Sequence, residues 1–225
     1  MSDTIQAISR SLNADIEALT AVSQNVANLN TPGYQSVRAR GDFAAASGAT
    51  STRVTVQRSD GAVRETGRGL DLALRGNGFF ITQQGGQQHL LRMGSFVRGA
   101  DGTLRTRQGA AVQTDAGTLI LPRSDIRVDA QGGIWDGESL LARLRIVDVA
   151  EPAKLIPTDN GYRYEGEFAQ WKGTVQQGGV EQSNVDAAAE TMQMIELSRH
   201  AESVQRVISL YDRAMDTGIN RIGDN

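Results

Sequence analysis

No cysteine occurs among the 225 residues, which excludes disulfides, thiolate metal sites and a thiol nucleophile. Aromatic residues make up only 5% of the chain, and no basic stretch interleaves with them. A stacking platform for single-stranded nucleic acid is thereby removed. Strong charge of either sign is also missing: Lys+Arg 23 against Asp+Glu 26 leaves a net −3. That field is too weak for a sequence-independent nucleic-acid binder, so no nucleic acid is expected as a partner. Long apolar runs are absent as well, and no direct membrane insertion is expected. The stretch Met1–Leu19 has no basic region leading into an apolar core, so no cleaved signal peptide is expected.

Proline is scarce at 4 residues, but glycine is not, and its 25 residues are unevenly placed. All but Gly33, Gly218 and Gly223 lie from Gly41 to Gly179. Glycine costs about 1 kcal/mol against alanine inside a helix. The two ends can therefore be helical, while the middle reads as strands and turns.

In the N-terminal segment Ile5, Leu12, Leu19 and Val26 repeat every seven residues. Ile8, Asp15, Val22 and Leu29 form the second position of the same seam, broken only by Asp15. The helix is expected to stop near Asn30, because Pro32 disfavours the α conformation at Thr31. Thr31-Pro32-Gly33-Tyr34 then suits a type II turn. The C-terminal segment repeats the pattern, with Met194, Ala201, Ile208, Met215 and Ile222 on one line and Leu197, Val204, Tyr211 and Gly218 on the other. Ser183, Asn184 and Asp186 are all candidate N-caps for it. The two helices would measure about 40 Å and 55–60 Å.

Between them the apolar period changes to two. Strands are expected at Val54–Gln57, Leu70–Leu74, Phe79–Thr82, Leu90–Val97, Thr103–Thr106, Thr118–Leu121, Ile126–Val128, Leu140–Val147 and Tyr162–Tyr164. Asp101-Gly102 and Asp136-Gly137 mark hairpin turns. Gly41–Thr52, rich in Gly, Ala, Ser and Thr, reads as a loop. The expected class is α+β: a mainly-β centre over residues 67–179, a joint over 35–66, and helical ends at 1–34 and 180–225.

Catalytic chemistry is hard to place. His89 and His200 have no second ligand at metal spacing, so both are read as structural or surface residues. Gly76-Asn77-Gly78-Phe79-Phe80 lacks the third glycine of a dinucleotide fingerprint and precedes a strand, so a tight turn is the better reading. No catalytic residue, cofactor or metal is assigned, and the chain is not expected to be an enzyme. Two readings of the helical ends remain: stripes that pack within a self-contained β-rich binding protein or hydrolase, or stripes that meet neighbouring subunits.

Four blocks of sequence carry a resemblance. Asn25-Val26-Ala27-Asn28-Leu29-Asn30-Thr31-Pro32-Gly33-Tyr34 is similar to the N-terminal signature of bacterial flagellar rod and hook proteins. Gly67 to Phe80, Arg92-Met93-Gly94-Ser95-Phe96 with Asp101-Gly102-Thr103-Leu104, and Gly179-Val180-Glu181-Gln182-Ser183-Asn184-Val185 resemble three further blocks of that family, in the same order. In the terminal helix, Ala201 stands before Glu202 where the family often has an aromatic. No diagnostic motif falls between Glu151 and Gln177.

The resemblance implies a structural subunit of the flagellar basal-body rod, within the periplasm. Its partners would be copies of itself, other rod subunits and the flagellar type III export apparatus. It implies that the terminal helices form a coiled coil on assembly, while the β domain faces outward. The total length and the short stretch from Gly41 to Thr66 resemble a proximal-rod subunit more than a distal-rod one. The residues expected to serve assembly are Ile5, Ile8, Leu12, Leu19, Val22, Val26, Asn28, Asn30, Thr31, Pro32, Gly33, Tyr34, Ser183, Asn184, Val185, Met194, Leu197, Val204, Ile208, Tyr211 and Met215. Seam residues such as Leu12 and Ile208 would each contribute about 1.5–3 kcal/mol if fully buried. Gly33→Val is expected to strain the turn and block assembly while leaving the β domain folded.

Overall fold

A computed structural model describes residues 2–41, 52–122, 125–159 and 161–223. Two long helices flank a mainly-β region, in agreement with the expected class. Helix α1 spans Ser2–Ala27 and helix α2 spans Ala187–Gly223. Most of the expected loop Gly41–Thr52 lies outside the described residues.

The chain divides into two compact units. A helical unit takes the residues up to Val26, Val37–Val54, and those from Asp186 onward; a β unit takes Ala27–Ser36 and Thr55–Val185.

In the helical unit, α1 ends at Ala27, three residues before the expected stop. Local bonds explain the early end: the Thr31 N–H donates to the Asn28 carbonyl at 3.1 Å, and the Thr31 hydroxyl donates to Asn28 Oδ1 at 2.9 Å. These turn bonds compete with the helical ladder. At the start of α2 only one of the three candidate caps serves. Asp186 Oδ1 accepts the N–H groups of Ala188 at 2.9 Å and Ala189 at 3.2 Å. Asp186→Ala is therefore expected to cost about 1 kcal/mol of helix stability. Faster amide exchange confined to the first turn of α2 would register it.

The small core of the helical unit lies at one end of the helices. Ala21, Val22 and Asn25 of α1, Val37, and Glu190 of α2 are all buried. Asn25 behaves like a piece of strand: its Nδ2 donates to the Val37 carbonyl at 2.9 Å, and its Oδ1 accepts the Val37 N–H at 2.8 Å. Val37–Gly41 pairs with Thr52–Val56 as a two-stranded ribbon. Arg38 reaches back to α2, with Nη1 2.5 Å from Glu190 Oε1.

The β unit is antiparallel throughout its described pairings. Its largest sheet runs Leu155–Thr158, Gly161–Tyr164, Gln87–Leu91, Phe79–Gln84, Ala111–Thr114, Leu104–Thr106, Phe96–Arg98. Phe79–Gln84 is the centre of this sheet. It pairs with Gln87–Leu91, with Ala111–Thr114 and with Ile146–Val149. Phe79 and Phe80 point to opposite faces, yet both are fully buried. Phe79 meets Tyr162 edge-on at 5.5 Å and Phe80 meets Phe96 at 5.1 Å. A strand covered on both faces needs consecutive large apolar residues, which explains the Phe-Phe pair. Phe80 and Phe96 join Leu72, Leu74, Leu104 and Ile134 in the main core.

Three strand expectations change. Thr118–Leu121 is not a strand: the observed strand is Gly117–Thr118, and beyond it Ile120 makes a single bridge to Thr103. Leu90–Val97 is not one strand: Gln87–Leu91 and Phe96–Arg98 are separated by Arg92–Ser95, where the chain turns aside. Leu140–Val147 likewise divides into Ser139–Arg143 and Ile146–Val149. Both expected hairpins form, with Gly102 at φ 83° and Gly137 at φ 59°.

Candidate assembly junction

The Thr31–Tyr34 turn is present as expected. The Tyr34 N–H donates to the Thr31 carbonyl at 3.2 Å, and Gly33 sits at φ 67°. Left-handed backbone at the third turn position is the conformation glycine adopts without penalty. The turn is pressed against the chain at Met93. A Cβ on Gly33 would lie 2.5 Å from the Met93 nitrogen and 2.7 Å from its Cα.

Two sequence-distant segments meet here. The Gly33 N–H donates to the Glu181 carbonyl at 2.8 Å, and the Asn184 N–H donates to the Tyr34 carbonyl at 3.2 Å. The Asn184 side chain completes the seam. Its Oδ1 accepts the Ser36 N–H at 2.7 Å, while its Nδ2 donates to the carbonyls of Gln57 at 2.8 Å and Ser59 at 2.9 Å. One amide thus satisfies three backbone groups from two other strands of chain. An aspartate or leucine in its place could not both donate and accept.

Beneath this seam lies Arg92, 1% exposed. Its Nε donates to Glu181 Oε2 at 2.5 Å. Nη1 donates to the carbonyls of Gly76 at 2.7 Å and Gly78 at 2.8 Å. Nη2 donates to Asp60 Oδ1 at 3.0 Å and the Leu74 carbonyl at 3.2 Å. A guanidinium has five N–H donors in a fixed fork, and all five are used. The carboxylates are held in turn: Glu181 Oε1 accepts the Gly61 N–H, and Asp60 Oδ2 accepts the Gly76 N–H, both at 2.9 Å. Burying a charge is costly unless it is paired and bonded in this way. Nearby, burial raises the Tyr162 hydroxyl to about 12, although the Gln35 N–H donates to it. Tyr162 is therefore neutral across the physiological range.

The four blocks that carry the family resemblance converge at this place: the Thr-Pro-Gly turn, the Gly76–Gly78 loop, Arg92-Met93, and Glu181 to Asn184. Of the expected assembly residues, the junction gathers Thr31, Pro32, Gly33, Tyr34, Ser183, Asn184 and Val185. Asn28 bonds Thr31 beside it, and Asn30 is exposed. Ser183 accepts the Val185 N–H at 3.3 Å through its hydroxyl rather than capping α2.

The remaining assembly residues lie on the helices. Val22 is buried, and Ile8, Leu12, Met194, Leu197, Val204 and Ile208 are half-buried. Leu19 and Val26 are exposed, together with Ile16, Met192, Ile195, Val207 and Leu210. Ile5, Tyr211 and Met215 belong to the helical backbone, and their side chains lie outside the described residues. Sequence reasoning passed over the residues at the centre. Arg92 and Glu181 were visible only as members of motifs, and Asp60 carried no signal. A charged residue directly after Leu90-Leu91 was the available hint at Arg92.

The family model for the C-terminal region of flagellar basal body rod FlgEFG proteins matches residues 176–222. The flagellar basal-body rod protein FlgF of Caulobacter vibrioides is 30% identical over 226 positions, covering 91% of each chain. The FlgG rod protein of Bacillus subtilis is 27% identical over 253 positions, covering 90% of this chain and 92% of its own. The flagellar hook protein FlgE of Brucella abortus is 37% identical, but over only 44% of this chain and 27% of its own. By its end-to-end likeness to FlgF and the match through the Glu181–Asn184 seam into α2, the chain belongs to the flagellar basal-body rod protein family of FlgE, FlgF and FlgG.

Proposed function

We propose that this chain is a structural subunit of the bacterial flagellar basal-body rod, of the proximal-rod FlgF type, and that it polymerises through α1 and α2. The observation that carries the reading is the likeness to an FlgF rod protein over 91% of both chains. Alignment length favours FlgF over FlgG. Alignments to FlgF proteins occupy 226 and 222 positions, whereas those to FlgG proteins need 253 and 252 for the same share of this chain.

The helices supply a physical means of assembly. Ile16, Leu19 and Val26 on α1, and Met192, Ile195, Val207 and Leu210 on α2, leave large apolar side chains in water. Covering each fully would contribute about 1.5–3 kcal/mol. Neighbouring helices with the same seven-residue repeat are suitable partners, in a coiled coil formed on assembly. In this reading the subunit lies in the rod within the periplasm. It contacts its own copies and other rod subunits, and the flagellar type III export apparatus delivers it.

A strain lacking this chain is expected to build no flagellum and not to swim, with both restored by the intact gene. Purified basal bodies from the restored strain should contain the protein in the rod. Normal swimming of the null strain, or absence of the protein from basal bodies, would overturn the assignment.

A further inference from the structure

One contact on the helices lies outside both the junction and the exposed apolar faces. Asp15 Oδ2 of α1 is 2.7 Å from His200 Nδ1 of α2. The Asp15 side chain is 16% exposed and that of His200 is 53% exposed. Asp15 is the single polar residue in its line of the α1 repeat, and His200 adjoins the seam residue Ala201.

The spacing of this pair is informative. Ten residues separate Asp15 from Asn25 on α1, and ten separate Glu190 from His200 on α2. Asn25 and Glu190 both attach to the ribbon, at the adjacent residues Val37 and Arg38. From that polar layer each helix therefore travels about 15 Å to the second one. Apolar side chains occupy the less exposed side over the interval, among them Ala18 and Val22 on α1 and Met194 and Leu197 on α2. An apolar block alone is tolerant of slippage, because one heptad resembles the next. A polar group within it is not, since a shift leaves that group facing apolar side chains without its partner. Slipping α2 by one heptad would place Gln193 or Val207 opposite Asp15.

We propose that Asp15 and His200 form a register lock between α1 and α2 whose strength depends on pH. The lock is internal to one chain and stands whether or not that chain builds a rod. From α1 the charged group facing the imidazole is Asp15; Arg10, bonded to Gln6, and Glu17 lie on the same helix. On α2 the neighbouring charges are Glu196 one turn earlier, Arg199, and Glu202, which pairs with Arg206 at 3.9 Å. An imidazolium attracts the carboxylate and neutral imidazole does so far less. The lock is therefore stronger where the imidazole is protonated than where it is neutral.

The absence of cysteine allows a clean test on the full-length chain. Spin labels are placed at the exposed positions Asn13→Cys and Ser203→Cys, and their distance distribution is measured at pH 5.5 and pH 8. The parent chain should give one narrow distance at pH 5.5. At pH 8 the ratio of in-register to slipped pairs should fall about two- to fivefold, the range for an exposed ion pair. Asp15→Asn and His200→Gln should remove the pH response. Asp15→Leu completes the apolar line and should show slipped distances at both pH values. Asp15→Lys with His200→Glu should restore one narrow distance at both. A pH response that survives Asp15→Asn, a single parent-like distance in Asp15→Leu, or a parent distribution unchanged between the two pH values would overturn the proposal.

Discussion

Arg92→Met is expected to destabilise the β unit by about 3–5 kcal/mol, read as a lowered denaturant midpoint of the full chain. The cost comes from what the side chain leaves behind rather than from its own lost contacts. Glu181 would be a buried carboxylate whose remaining bond is the Gly61 N–H. The carbonyls of Leu74, Gly76 and Gly78 would lose their shared donor. Each buried orphan costs about 1–3 kcal/mol. These two contributions can be separated. Arg92→Met combined with Glu181→Met removes the stranded charge but not the stranded carbonyls. The double variant should therefore stay at least about 2 kcal/mol less stable than the parent. Recovery to parental stability would mean that the ion pair alone matters and the carbonyl bonds do not. Arg92→Lys should also fail, because a lysine's three donors cannot reproduce the five-donor fork.

Why the helices were legible and this centre was not is a matter of range. Ile8, Val22, Met194, Leu197 and Val204 announce their helices through a repeat contained within a few turns, and each lies on the less exposed side. The Thr31–Tyr34 turn is equally local, since proline and glycine state the backbone conformation within four residues. Glu181 lies 89 residues beyond Arg92, and Asn184 lies 125 to 127 beyond the carbonyls it bonds. No periodicity spans such intervals. Short strands were lost for the same reason. Val63–Glu65 and Gly179–Glu181 are three residues each and exist because they pair with one another. Arg92 also misled the strand reading. It follows Leu90-Leu91 in an apolar run, but its fork must meet three carbonyls, so the strand ends at Leu91. Family resemblance compensated in part, because the quoted blocks contain the residues that meet. It did not say that they meet.

Gly33→Val is expected to have the other large effect, and on both the turn and the β unit. The sequence alone leads to the expectation that such a variant leaves the β domain folded. Yet the turn belongs to that unit, and Gly33 rests on the Met93 backbone while its N–H holds the Glu181 carbonyl. Two penalties combine. A β-branched residue at φ 67° is strained by about 1–3 kcal/mol. Independently, its Cβ would come within 2.5 Å of a backbone nitrogen that no rotamer change can move aside. Two milder variants identify the dominant penalty. Asparagine tolerates left-handed backbone better than alanine does, but both carry the offending Cβ. If strain dominated, Gly33→Asn would be clearly more stable than Gly33→Ala. Close approach to Met93 should dominate instead, making the two variants destabilised to a similar extent and both more than about 2 kcal/mol below the parent. Denaturant midpoints of the three purified variants decide this, with amide exchange at Gly33 and Asn184 reporting whether the seam opens. In the rod reading, swimming should fall in the same order as seam protection. A Gly33→Val strain that swims normally with an intact seam would remove the turn from the assembly mechanism.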